Sequence, residues 1–112
     1  MALDYRLKKQ KDFDLVFKKG KRLFSSSITM LYFTAKETKV GYCVSKKHGK
    51  SVERNRIKRI LRESFRSFTP LLRQNFFFVF IPKVCKEYSF KTFKKDMEYL
   101  LKKGEFLLED NA

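Results

Sequence analysis

The sequence is short of several things, and each shortage removes a class of function. Among its 112 residues there is no Trp, one His, two Cys, two Pro and four Gly. His48 stands alone, and Cys43 and Cys85 lie far apart, so the spacings of a zinc site, a redox pair or a disulfide framework are missing. Buried or free thiols are the plain expectation. No segment offers the long uncharged run that a membrane span needs, and no signal-peptide pattern opens the chain, so a cytoplasmic protein without a membrane role is expected. No repeat and no Gly/Ser/Pro-rich linker divides the sequence, which predicts one domain over 1–112. Acid is scarce as well: Asp4, Asp12, Asp14, Glu37, Glu53 and Glu63 show no ligand or acid–base spacing, which argues against a protein nuclease that works alone. No catalytic residue and no protein-bound metal is expected in this chain.

What is present is grease and positive charge. Hydrophobic residues make up 43% of the chain, thirteen of them Phe, enough for a real core. Lys and Arg number 27 against 12 Asp and Glu, a net charge of +15. A field of that size favours a polyanion, and nucleic acid is the first candidate.

Periodicity outlines the elements. Phe13, Val16 and Phe17 recur at helical spacing, with Gly20 in the position where a left-handed residue commonly closes a helix. Residues Ser27 to Ala35 and Lys39 to Ser45 are rich in β-branched and aromatic types, and Lys36-Glu37-Thr38 between them predicts a hairpin of neighbouring antiparallel strands. Ser51 is placed to cap a helix whose Ile57, Ile60, Leu61, Phe65 and Phe68 share one stripe, ended by Thr69-Pro70. The uniformly apolar Phe76–Ile81 reads as a central strand stopped by Pro82. Ser89 caps a last helix carrying Phe90, Phe93, Met97, Leu100 and Leu101, with Gly104 just past its end. The acidic tail from Glu105 to Ala112 is expected to fray. The order helix, two or three strands, helix, strand, helix predicts an α+β fold, a mixed sheet with helices packed on it as a sandwich.

The charge is concentrated. Between Lys46 and Arg66 stand nine Lys or Arg and two Glu, a net +7. At about 100° per residue, Asn55, Arg59, Arg62 and Arg66 fall within about 60° of one another opposite the apolar stripe, with Lys58 beside them. Guanidinium forks bind phosphate oxygens bidentately and stack on bases, and Asn55 offers both a donor and an acceptor. Glu63 is positioned to pair with Arg59, but one acid does not neutralise the ridge. The loop Ser45 to Lys50 brings three more cations to the helix N-terminus, whose free N–H groups also attract phosphate. The bland reading of all this is a solvated helix face, and of His48 a bystander.

Val44-Ser45-Lys46-Lys47-His48-Gly49-Lys50-Ser51-Val52-Glu53-Arg54-Asn55-Arg56-Ile57-Lys58-Arg59 resembles the signature of the bacterial ribonuclease P protein subunit, with Arg-Asn-Arg at its centre. Asp12-Phe13 through Val16-Phe17-Lys18-Lys19-Gly20 resembles the family's first helix. The resemblance implies a subunit that binds a large catalytic RNA and helps it remove the 5′ leader of precursor tRNA, with Mg²⁺-dependent cleavage carried out by the RNA. It implies catalytic-RNA contacts at Arg54, Asn55, Arg56, Lys58 and Arg59, more loosely Arg62, with Arg66 on the same ridge. It also implies a leader cleft between the first helix and the sheet, formed by Phe13, Phe17, Lys46 and Lys50, with Lys47 from the same loop. From periodicity alone Phe13 and Phe17 read as core positions, and only the resemblance places them at the cleft; either Leu31 and Phe33 or Tyr32 faces it, both alternations being apolar. A ribosomal-protein S5 domain 2-like fold with a left-handed β-α-β crossover, and no obligate protein partner, are further implications. His48 departs from the pattern, standing where the family often has a hydrophobic or aromatic residue. The alternative class is a ribosomal or general RNA-chaperone protein of similar build.

Overall fold

The most apolar run of the sequence becomes the inside of a sheet. In the computed structural model, which describes residues 6–108, β4 (Phe76–Pro82) pairs antiparallel with β2 (Ile28–Thr34) and parallel with β3 (Lys39–Tyr42). With β1 (Lys21–Phe24) on the far side of β2, the strand order is β1-β2-β4-β3. Phe77, Phe78, Val79 and Phe80 are all buried, because helices cover both faces of this strand. That double cover explains why the run shows no polar alternation.

The hairpin expected from Ser27–Ala35 and Lys39–Ser45 does not form. Both segments contain strands, but β4 inserts between them, and β2 and β3 never touch as a ladder. Lys36-Glu37-Thr38 has no Gly or Asn to supply the positive φ of a tight hairpin turn. Instead, the buried Thr38 hydroxyl accepts the Asn75 N–H at 2.7 Å and the Asn75 carbonyl accepts the Ala35 N–H at 2.9 Å, which fastens the start of β4 between the other two strands. Placing six consecutive apolar residues between two partners buries more of them than an edge position allows.

α2 (Ser51–Arg66) and α3 (Phe90–Lys103) share one face of the sheet. Their Ile57, Leu61, Phe65, Phe93, Met97, Leu100 and Leu101 pack on Ile28, Met30, Val40, Phe78 and Phe80. α1 (Gln10–Lys19) lies on the opposite face, where its fully buried Val16 meets Leu31 and Val79. The result is the expected mixed α+β sandwich, covered fully on one side and partly on the other.

Several helix ends differ from expectation. Ser51 is the first helical residue of α2 and caps nothing; Lys50 precedes it without a side-chain bond, and the capping serine is Ser45, at the 3₁₀ turn Lys46–His48. Gly20 has φ −72° and so is not left-handed; it is glycine because a Cβ there would run into the carbonyls of Val16 and Tyr32. Ser89 does cap α3, accepting the Thr92 N–H at 3.2 Å. The fraying expected from Glu105 does not begin there. Phe106 is buried edge-on against Tyr32, Phe76 and Phe78 with ring centroids 4.7–5.0 Å away. The Arg73 N–H donates to the Phe106 carbonyl at 2.7 Å and the Leu108 N–H to Leu71 at 2.6 Å. The rest of that tail, 109–112, lies outside the described residues.

Candidate nucleic-acid interface

α2 presents its cations from a fixed base. Ile57, Leu61, Ser64 and Phe65 are buried beneath it, so the opposite side, with Asn55, Arg59, Arg62 and Arg66, faces solvent as the spacing predicts. Glu63 pairs with Arg66 at 3.5 Å and not with Arg59, and Glu53 pairs with Arg56 at 3.7 Å, both one turn away on the exposed surface. Surface pairs of this kind hold little energy and leave most of the charge in place. Among the described residues Arg59, Arg62 and Lys58 have no ion-pair partner. Arg54 differs from its neighbours: it is half-buried, and its Nε is shielded from water without an acceptor among the described residues.

The loop before α2 is built around the one histidine. His48 Nδ1 accepts the Ser45 N–H at 3.0 Å, and the Ser45 hydroxyl accepts the Lys47 N–H at 3.3 Å, a reciprocal capping box on the short turn. The other ring nitrogen, Nε2, donates to the Pro82 carbonyl at 2.6 Å, the arrangement of a neutral ring with its proton on Nε2. His48 is therefore no bystander: it buckles Lys46, Lys47 and Lys50 to the end of β4, with its ring beside Tyr88 at 6.3 Å. Gly49 follows with φ 128°, a conformation that favours glycine, and turns the chain into α2. All three lysines are exposed.

The sheet face under α1 completes the arrangement. Strand register decides what the sequence left open: Leu31 and Phe33 point to the α1 side with Phe77, Val79 and Ile81, while Tyr32 faces the other core. Phe13 is half-buried, its ring lying directly over Gly41 of β3, and Phe17 one turn on is 37% exposed. α1 seals the cross-strand row Gly41–Val79–Leu31 but not the next. That next row joins Ile81, Thr29 and Phe24 as direct cross-strand partners, with Cys43 beside it just past β3, and every member is partly or wholly open to solvent. A strip of mixed apolar and aromatic surface therefore runs past α1 toward the His48 loop. Phe24, 58% exposed, and Ile81, Thr29 and Cys43 were not foreseen as site residues, because only the register shows that they form one row.

Electrostatics links the two areas. Burial pushes the Cys43 thiol up, and the Lys58 ammonium of α2 pulls it partly back. Burial also raises the Tyr42 hydroxyl above the ordinary phenol range, opposed by Arg62. Lys58 and Arg62 thus stand where the ridge of α2 meets the β3 edge. Among the described residues no group of three His, Cys, Asp or Glu is placed to hold a metal, and no helix is long and apolar enough to cross a membrane.

A rigid Arg ridge, a buckled lysine loop and an open strip of apolar and aromatic side chains stand on one small α+β sandwich. The family model for ribonuclease P matches residues 1–105. The chain belongs to the ribonuclease P protein family. The ribonuclease P protein component of Caldanaerobacter subterraneus subsp. tengcongensis is 44% identical over 101 residues, covering 88% of this chain and 87% of that one. The component from Bacillus velezensis is 35% identical over 101 residues, with the same shares covered. Among solved structures, the RNase P protein of Staphylococcus aureus superposes with a TM-score of 0.81 at 28% identity, over 94% of this chain and 99% of that one. The RNase P protein of Thermotoga maritima gives 0.76 at 32% identity, over 88% and 96%. As a ribonuclease P protein component, the chain is an RNA-binding subunit of the endoribonuclease that matures tRNA 5′ ends, and it associates with the RNase P RNA.

Proposed function

We propose that this subunit divides its surface between two RNAs. α2 holds the catalytic RNA through Arg54, Asn55, Arg56, Lys58, Arg59, Arg62 and Arg66, and the strip beside α1 holds the 5′ leader of precursor tRNA. The observation that carries the second half is the uncovered row Ile81–Thr29–Phe24, on the sheet face that α1 covers only in part, with Ile81 next to the Pro82 carbonyl that anchors the loop of Lys46, Lys47 and Lys50. Rings beside cations suit a single strand of any sequence, with stacking worth about 1–3 kcal/mol per base. Phe13 contributes less directly: its ring is committed to Gly41, so it supports the strip more than it lines it.

In this reading cleavage and the Mg²⁺ it requires belong to the RNA, and the protein works in the cytoplasm by binding and positioning. The test is reconstitution. Added to a cognate catalytic RNA at low Mg²⁺, the protein is expected to restore precursor-tRNA cleavage, and its affinity advantage is expected to grow with leader length over the first few nucleotides. Stimulation without any dependence on leader length would remove the leader site while leaving the family assignment intact.

A further inference from the structure

α3 carries a second basic face that the two RNA sites above do not use. Its buried side holds Phe93, Asp96, Met97, Leu100 and Leu101. Its outer side has five Lys and no Arg, namely Lys91, Lys94, Lys95, Lys102 and Lys103, against one exposed acid, Glu98, which Lys102 meets at 3.9 Å. Lys91, Lys95 and Lys102 fall within about 40° of one another around the axis and span about 16 Å along it. Around the start of the helix, Phe90, Lys91, Lys94, Lys95 and Glu98 line a shallow depression.

The position of this face matters as much as its charge. α2 and α3 cover the same side of the sheet, and Ser64 lets them approach closely, its hydroxyl donating to the Ile60 carbonyl at 2.7 Å and reaching the Phe90 carbonyl at 3.4 Å. Packed helices lie about 8–10 Å apart. A nucleic-acid duplex is wider than that spacing, so one seated on the α2 ridge, or continuous with it, extends over α3.

We propose that the outer face of α3 is a second RNA-contact surface, taking the phosphates of a double-helical segment next to the RNA held by α2. The proposal rests on the reading of α2 as the catalytic-RNA face. Charge complementarity supplies the attraction, and the residue types set its character. Ammonium groups act as point charges that tolerate varied phosphate geometry, whereas the guanidinium forks of α2 demand a fixed one. A single strand stacked on aromatics is disfavoured by geometry. Phe90 and Tyr99, each about half exposed, stand nine residues apart and so about 180° apart around the helix, where no strand stacks on both. Each ring instead lies under a lysine, with Lys94 Nζ 5.8 Å from the Phe90 centroid and Lys103 Nζ 5.6 Å from that of Tyr99, which restrains the ammonium groups at the surface.

The experiment measures affinity of the full-length protein for its cognate catalytic RNA across a salt series. The variants are Lys91→Gln/Lys95→Gln/Lys102→Gln and, for comparison, Arg59→Ala/Arg62→Ala. Each phosphate contact contributes about 0.7–0.9 to the slope of log affinity against log salt. The triple lysine variant is therefore expected to flatten the slope by about 2 and to bind at least tenfold more weakly at low salt, with unchanged helical content. A wild-type slope and affinity in the lysine variant, alongside loss in the arginine variant, overturns the α3 surface alone. Wild-type behaviour in both overturns the α2 reading with it. Should the triple variant not fold, Lys95→Gln by itself is expected to flatten the slope by about 0.7–0.9, and no change overturns the proposal. Loss of binding in Phe90→Ala/Tyr99→Ala with none in the lysine variants means that bases and not phosphates are held, and also overturns it.

Discussion

The seat of α1 beside the proposed leader strip depends on one missing methyl group. A Cβ added at Gly41 would sit 2.5 and 2.6 Å from two carbons of the Phe13 ring and 3.3 Å from the Leu7 Cβ. Ordinary carbon contacts are about 3.5–4.0 Å, so Gly41→Ala must open a gap of about 1 Å. The sheet cannot yield, since Gly41 pairs with Val79 in the fully buried middle of β4. α1 can, because Val16 is its only buried residue. Overpacking of this size costs about 1–3 kcal/mol, and Gly41→Ala should lower unfolding stability by that amount while shifting α1, and Phe17 with it, relative to the strip. Shortening the ring should relieve the clash, so Phe13→Leu/Gly41→Ala is expected to be more stable than the two single effects predict, by about 1 kcal/mol or more. Denaturant titration of the four proteins gives the cycle, and leader-length dependence of precursor-tRNA affinity reads the displacement. Additivity within about 0.3–0.5 kcal/mol would refute the argument that α1 is seated by ring-on-glycine contact.

Other positions test other parts of the account. His48→Ala removes an acceptor for Ser45 and a donor to Pro82, so a loss of about 1–3 kcal/mol and a weaker response to leader length are expected; an equally stable variant with unchanged leader response removes the buckle. Asp96, buried in α3, accepts from the Ser26 hydroxyl at 3.1 Å, the Ser27 N–H at 3.0 Å and the Ser27 hydroxyl, all on one oxygen, and so ties the β1–β2 turn to the helix. Asp96→Ala should cost about 1–3 kcal/mol in thermal or chemical unfolding, and Asp96→Asn, which keeps one acceptor oxygen, clearly less; equal losses contradict the tie. Burial raises the Cys43 thiol, which lowers its thiolate fraction near pH 8, so alkylation should reach the exposed Cys85 first. Lys58→Gln removes the opposing charge, pushes Cys43 further up and should slow it more, and mass spectrometry of peptides decides both.

Local pattern reached as far as local physics does. The helical period of Ile57, Leu61 and Phe65 requires the arginines of α2 to face outward, and the structure keeps that arrangement because a buried stripe fixes the rotation of its helix. Uniform greasiness similarly places Phe77–Phe80 inside the sheet, where both faces are covered, while Phe76 and Ile81 at the ends of the run stay partly open. The Arg-Asn-Arg motif and its flanks were enough to indicate the family. Helix termini were read less well: Ser51 and Ser45 are equally good caps by type, and only the path of the loop, with His48 turned to Pro82, selects Ser45.

Tertiary structure alone decided which strands are neighbours and which alternation faces α1. Both parities of Leu31, Tyr32 and Phe33 are apolar, so the sequence offers no preference, and a slip of one residue would exchange the two faces. The choice comes from β4 entering between β2 and β3, a pairing between segments distant in the chain. That insertion gathers Phe24, Thr29 and Ile81 into one uncovered row, and no short-range pattern encodes it. Charge, core and the orientation of α2 were thus written in the order of residues, whereas the open strip exists only because long-range pairing and the limited reach of α1 leave it exposed.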